Sequence, residues 1–419
     1  MHREKDVITT SGAGTLSRRR FLKAAAILGL AGTTATVTQF PSLGKAQESS
    51  TSQRVPQRPF GASKIPVSVL SLGGMFDTGS NQTLLRQALR WGVTYWDTAD
   101  CYGGGRSEEG IGAFFARFPE TRKEVFLVTK SDARDPAGMT KLLQRSLERM
   151  QTDWIDLYFL HAVDDIKELT QDVRRWAEQA KASGKIRLFG FSTHANMAQC
   201  LEGAARLGWV DGIMFTYNFR LMHDDAMKRA IDRCVAAGIG LTAMKTQGGG
   251  PFRADSSAEG ALAEKLLARG FTDKQAKLKA VWEDTRIASI CSQMPTMTIL
   301  MSNVAAALDR TSLSREEQNE LRHYAEATRS QYCAGCAAVC AHAAQAPIFD
   351  MMRSLMYARD YGDMAAACEV LQPLAQGGVF ATLNEARLKE AERRCPHGLP
   401  LRRLVSEAAQ LARNLKISV

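Results

Sequence analysis

Thr94-Tyr95-Trp96-Asp97-Thr98-Ala99-Asp100-Cys101-Tyr102 begins as a strand and ends as a polar loop. A β-branched and aromatic run of this length suits a strand, and the acids that close it mark the strand end as a place for chemistry. The same grammar recurs along the chain. Val67–Leu72, Val125–Thr129, Ile155–His161, Leu188–Ser192, Gly212–Tyr217, Gly240–Lys245 and Met297–Met301 are strand-like, and helical patterns such as Gln82–Trp91, Met139–Met150, Ile166–Ala182 and Asp225–Ala237 lie between them. Eight strands alternating with helices predict parallel βαβ units closed into a (β/α)8 TIM barrel. A doubly wound open sheet is the alternative, weakened because no Gly-x-Gly-x-x-Gly follows the first strand. The long connection from Thr246 to Pro295 reads as an insertion over the barrel mouth.

Four segments follow from this pattern: an N-terminal leader over 1–46, a Ser/Gln/Pro-rich linker over 47–59, a barrel over 60–313, and a helical, Ala-rich C-terminal region over 314–419. The chain has 419 residues, 45% of them hydrophobic, which excludes wholesale disorder and a multispanning membrane protein. Its net charge of +10 invites a nucleic-acid reading, but seven Lys/Arg against Glu4 and Asp6 place half of that excess in residues 1–46.

In that leader, Ser17-Arg18-Arg19-Arg20-Phe21-Leu22-Lys23 precedes an apolar stretch from Ala24 to about Leu30 and a small-residue tail ending near Ala46. The stretch is too short for a span, which needs about 20 apolar residues. The run resembles a twin-arginine export signal. That resemblance implies a periplasmic or otherwise exported protein, handled by the twin-arginine machinery and moved already folded. A basic nucleic-acid arm fits neither the apolar stretch nor the tail, and the mature chain is expected to have no stable membrane span and no nucleic-acid partner.

The barrel places Asp97, Tyr102, Lys130 and His161 at or just after strand ends, the face on which such barrels do chemistry. A buried Lys needs an acid beside it, a Lys near a Tyr hydroxyl lowers the phenol's pKa, and a His orients a carbonyl oxygen. These four residues, with Ser107-Glu108-Glu109-Gly110-Ile111-Gly112, Asp156–His161, Gly190–His194 and Tyr217-Asn218, resemble the aldo-keto reductase family over roughly Pro59 to Asn303. The resemblance implies Tyr102 as general acid/base, Lys130 tuning it, Asp97 pairing with Lys130, and His161 positioning a small carbonyl or alcohol substrate. It also implies NADP(H) or NAD(H), with Ser192 and Thr193 toward the nicotinamide, and Ser302 and Asn303 opening a helix that receives a phosphate. Departures fall on that side: Thr193 and Met214 stand where the family carries Asn and Gln.

Five of nine cysteines lie in the C-terminal region. Cys333-x2-Cys336-x3-Cys340, followed by Cys395-Pro396-His397-Gly398-Leu399-Pro400, resembles the ferredoxin-like extension of a subgroup of these reductases. It implies one 4Fe–4S cluster on Cys333, Cys336, Cys340 and Cys395, with Arg393, Arg394, Arg402 and Arg403 offsetting its charge and a redox partner protein possible. Zinc on the same thiolates, disulfides, and Cys368 as fourth ligand are the alternatives. Cys101, Cys200, Cys234 and Cys291 read as core residues, His194 has no ligand spacing, and Met351, Met352 and Met356 read as helix packing. Function therefore stands among three readings: a nicotinamide-dependent carbonyl reductase, an iron–sulfur redox enzyme without nicotinamide, and a non-catalytic binding barrel.

Overall fold

A computed structural model describes residues 54–249, 270 and 272–417; the leader and most of the expected linker lie outside them. Eight parallel strands close a barrel: Leu70–Gly73, Tyr95–Asp97, Phe126–Ser131, Ile155–Leu160, Ile186–Thr193, Gly212–Thr216, Gly240–Met244 and Ser289–Gln293. The last pairs with both the first and the seventh, which leaves no open edge. The strands are short and buried almost throughout, as helices on the outside and side chains on the inside require.

The stretch Val67–Leu72 divides. Ile65–Ser68 pairs antiparallel with Gln57–Phe60, so the end of the expected linker is a strand, and the barrel begins at Leu70. This hairpin seals the bottom of the barrel. Phe60 is fully buried among Tyr95, Phe126, Leu157, Phe159 and Met214. Its ring occupies the space that a Cβ on Gly212 or Gly240 would fill, 2.9 and 2.4 Å away.

The eighth strand is not Met297–Met301. That segment opens the helix Met297–Leu308, and the strand is Ser289–Gln293, inside the stretch read as an insertion. Ser289-Ile290-Cys291-Ser292-Gln293 looks too polar for a barrel strand, but Ser289 is satisfied by the Ser68 carbonyl at 2.7 Å and Ile290 is wholly buried. The helix start was available in Thr296, whose hydroxyl accepts from the Ile299 amide.

Beyond the barrel, helix Arg315–Ala327 packs Leu321 and Tyr324 against Phe219, Ala276 and Ala280, so the barrel layer extends past residue 313. Five further helices, Ala337–Ala344, Ile348–Asp360, Met364–Gln376, Glu385–Arg394 and Leu401–Asn414, surround a separate apolar core of Ile348, Met351, Met352, Leu371, Val405 and Ala408. Burying side chains of this size is worth about 1.5–3 kcal/mol each, enough to hold a region of this size together. The methionines Met351 and Met352 belong to that core, as their helical spacing suggested. No helix among the described residues is long and apolar enough to cross a membrane.

Candidate active site and cysteine centre

The second barrel strand delivers Asp97 and the loop after it delivers Tyr102. Three glycines follow, Gly103 to Gly105, all at positive φ. Gly105 is required twice over: its φ is +99°, and a Cβ there would lie 2.3 Å from the Arg149 guanidinium. That arginine fastens the loop, donating to the Asp100 carbonyl at 2.9 Å and to the buried Glu108 at 3.2 Å, while Arg145 pairs with the Asp100 carboxylate at 2.7 Å. The acids around Tyr102 are therefore anchors for the loop, separate from the reacting groups.

The third strand brings in Lys130, almost fully buried. Its ammonium donates to Asp97 Oδ2 and to the Thr98 carbonyl, both at 2.7 Å, and lies 3.5 Å from the Tyr102 hydroxyl. The fourth strand runs into His161, whose ring meets Tyr102 edge-on with centroids 5.9 Å apart. His161 Nδ1 is engaged by Asp132 at 3.2 Å and Cys101 at 3.8 Å, which leaves the other ring nitrogen for a ligand. All four tetrad residues thus converge at one end of the barrel.

The expected electrostatics need one correction. The Tyr102 phenol is driven well above its ordinary range, first by burial and then by the Asp97 charge. Lys130, held at closer range by Asp97 and the Thr98 carbonyl, does not reverse that shift. Burial also pushes the Asp97 carboxyl up, against the opposing pull of Lys130. The Tyr102 phenol therefore keeps its proton.

Two cysteines read as core residues lie at this site. Cys101 is exposed at the mouth beside His161, and Cys291 on the eighth strand donates to Asp97 Oδ2 at 3.6 Å. Cys200 and Cys234 are buried as expected.

The residues expected to hold a nicotinamide cofactor do not assemble into a set. Ser192 is buried and accepts from the Ala162 amide at 3.0 Å. Thr193 turns its hydroxyl to the Ala195 carbonyl at 2.8 Å, and Asn303 is buried against Ser292 at 3.0 Å. Ser302 and Asn303 lie in the second turn of a helix capped at Thr296, so they do not form its N-terminus. At the sixth strand's end, Asn218 donates to the Tyr332 hydroxyl at 2.9 Å and to the Lys245 carbonyl at 3.2 Å, committing its amide inside the chain.

Tyr332 belongs to the segment that docks the cysteine motif on the barrel. Asn196, after the fifth strand, donates from its backbone to the Gly335 carbonyl at 2.7 Å and accepts from the Ala338 amide at 3.0 Å. Gly335 has φ +80°, and a Cβ there would stand 2.6 Å from the His194 carbonyl.

Beside this joint, Cys333, Cys336, Cys340 and Cys395 line one apolar cavity with Ile348, Met352 and Leu401. Their charges act on one another, and burial pushes the Cys333 thiol up to about 12 and Cys340 up to about 11. None is in a disulfide. Cys368 does not line the cavity. Among the described residues, Cys101, Asp132 and His161 bring their potential ligand atoms within 4.8 Å of one another. A tetrahedral zinc with bonds of about 2.3 Å would bring sulfurs to about 3.8 Å apart. Four thiols lining one apolar cavity suit a zinc ion or an iron–sulfur group. The arginines expected to offset its charge are spent elsewhere: Arg393 and Arg394 on Glu390, Arg402 on Glu385 and Glu392, and Arg403 on Glu407.

The family model of the aldo/keto reductases matches residues 69–327. The chain belongs to the aldo/keto reductase family. Curated relatives are similar over part of their length. The aldo-keto reductase yakc [NADP(+)] of Schizosaccharomyces pombe is 31% identical over 39% of this chain and 52% of its own. The oxidoreductase YqkF of Bacillus subtilis is 34% identical over 33% and 48%. The chain therefore spans about half the length of these relatives. Among solved structures, aldo-keto reductase AKR11C1 from Bacillus halodurans superposes with a TM-score of 0.55 at 21% identity, covering 64% of this chain and 96% of that one, which speaks for the fold. The aldo/keto reductase match ends at residue 327, before the first cysteine of the motif.

Proposed function

We propose that this protein is an oxidoreductase that interconverts a carbonyl and an alcohol, with Tyr102 as proton donor. The observation that carries this reading is the buried Lys130 reaching both Asp97 and the Tyr102 hydroxyl. In the reductive direction, the substrate oxygen gains negative charge as its carbon is reduced, and Tyr102 passes its proton to that oxygen. The Lys130 ammonium faces the phenolate that remains, and Asp97 holds Lys130 in place. His161, steadied through Nδ1 by Asp132, orients the carbonyl with its free nitrogen. General acid catalysis of this kind contributes about 10²–10⁴-fold.

The source of reducing equivalents has two readings. The first is NADP(H) or NAD(H), of which NADP(+) is named for the Schizosaccharomyces pombe relative, and such a cofactor supplies a hydride when bound. Because its expected side chains are not assembled, no step here is derived through it. The second reading draws electrons through an iron–sulfur centre held by Cys333, Cys336, Cys340 and Cys395. Cys333 favours it, since that side chain lines the same cavity as His194 and Lys245 at the barrel mouth. A 4Fe–4S cluster there would carry single electrons.

The leader adds an export reading: residues 1–46 direct the folded protein through the twin-arginine route to the periplasm or beyond, where a redox partner meets it. A non-catalytic barrel is disfavoured, since binding alone does not call for a buried Lys beside a Tyr.

The test is turnover of a carbonyl panel by anaerobically prepared protein, with NADPH, NADH and a one-electron reductant offered separately. Carbonyl reduction lost in Tyr102→Phe supports the reading; turnover that survives in that variant removes Tyr102 from its role.

A further inference from the structure

The cavity between the barrel mouth and the C-terminal region has walls of Phe349, Met352, Met356 and Leu404, with Lys245 on its barrel side and Arg353 and Arg359 on the facing helix. Lys245 ends the seventh strand in the left-handed region, at φ +53°, a conformation a lysine rarely adopts. Its ammonium donates to the Tyr357 hydroxyl at 3.0 Å and lies 4.3 Å from that ring's centre. Among the described residues no carboxylate pairs with it. Arg353 and Arg359, on the facing helix, are paired with Asp350 and Glu407, and Asp360 is the cavity's one acidic lining residue.

Two further groups await a partner. Arg353 Nε is buried without a hydrogen bond, and so is His194 Nδ1. Burial drives His194 well below its ordinary range, so it stays neutral and can donate from Nδ1. A part-buried ammonium whose hydrogen-bond partner is a phenol, beside two orphaned nitrogens, leaves room for an anionic group to complete all three. His194 follows the fifth barrel strand and Lys245 the seventh, so this cavity opens at the same end of the barrel as Tyr102 and His161.

We propose that this cavity binds the carboxylate of an oxo- or hydroxy-acid substrate through Lys245, His194 and Arg353, leaving the carbonyl of that acid to reach Tyr102. The apolar walls suit the body of a small organic acid. The inference rests on the carbonyl-reduction reading for the substrate's other end, but the binding itself is separable from turnover.

Calorimetry on the anaerobically purified full mature protein tests it, with phenylglyoxylate, its neutral amide and inorganic pyrophosphate as probes. The expected result is that phenylglyoxylate binds at least about tenfold more tightly than the amide, and that Lys245→Met removes that advantage. Arg353→Gln, across the cavity, weakens phenylglyoxylate about threefold and decides the matter if Lys245→Met fails to fold. Phenylglyoxylate affinity unchanged in the folded variants overturns the proposal, as does pyrophosphate binding that depends on Lys245 while phenylglyoxylate does not bind. Lys245-dependent binding without any turnover would sink only the carbonyl-reduction reading; turnover with Lys245-independent binding would sink only the carboxylate site.

Discussion

The Lys130 ammonium donates to Asp97 Oδ2 at 2.7 Å, with both side chains almost completely withdrawn from water. A buried pair of this kind costs desolvation on both sides, so it is worth keeping only where both charges are needed. Removing one partner leaves the other stranded. Asp97→Leu is expected to lower stability by about 3–5 kcal/mol, and adding Lys130→Met is expected to restore part of it. Urea unfolding of the two variants checks this; a double variant less stable than Asp97→Leu contradicts it.

Tyr102→Phe keeps the ring and its contact with His161, and removes only the hydroxyl. Carbonyl reduction is expected to fall by about 10²–10⁴-fold, with stability changed by less than about 1 kcal/mol. Thermal unfolding beside steady-state turnover separates a lost proton donor from a damaged fold.

The direction of the Tyr102 shift also fixes a pH dependence. Its folded pKa lies above the ordinary phenol value, so the proton remains where an exposed tyrosine would lose it. Turnover of the reductive reaction should therefore show no decline from a deprotonating phenol as pH rises to about 10. Stability behaves consistently: the contribution is fully present below the unfolded phenol pKa of about 10 and is lost above it, as pH rises toward the folded value. A descending limb near neutrality that vanishes in Tyr102→Phe would show that Lys130 lowers the phenol after all.

Gly335 joins the two regions at a position where a side chain meets the His194 carbonyl. Gly335→Ala should destabilise the protein by more than about 1 kcal/mol, through both the strained φ and the clash. Differential scanning calorimetry measures it, and an unchanged melting temperature would mean that the cysteine segment docks elsewhere.

Much of this architecture is legible in the sequence, for identifiable reasons. Seven strand positions could be read because each is a compact β-branched or aromatic run, and Asp97, Tyr102, Lys130 and His161 sit at or just after the ends of three of those strands. The eighth strand escaped because Ser289, Ser292 and Gln293 are satisfied by partners distant in sequence, such as Ser68, Asn303 and Met75. Thr296, a cap just after a proline, was the signal that Met297 starts a helix.

The mouth of the barrel was the least readable part. Lys245, His194 and Tyr357 lie far apart in the chain and carry no spacing pattern, so only the docking of the C-terminal helices gathers them. Cys101 directly precedes Tyr102 in the loop after the second strand, so its place at the site was open to reading, whereas Cys291 was hidden because its strand was read as part of an insertion. Cys333, Cys336 and Cys340, three and four residues apart, are neighbours through chain geometry, whereas Cys395 reaches their cavity only through the packing of the C-terminal helices.

The central claim is a reductase barrel with an iron–sulfur centre seated at its mouth. Iron and zinc analysis with electron paramagnetic resonance of the anaerobically purified, dithionite-reduced protein tests it most directly. The account predicts about four irons per chain and the signal of a reduced 4Fe–4S cluster, both lost in Cys395→Ser and both retained in Cys368→Ser. A colourless protein with one zinc per chain, or a cluster that survives Cys395→Ser, would contradict it.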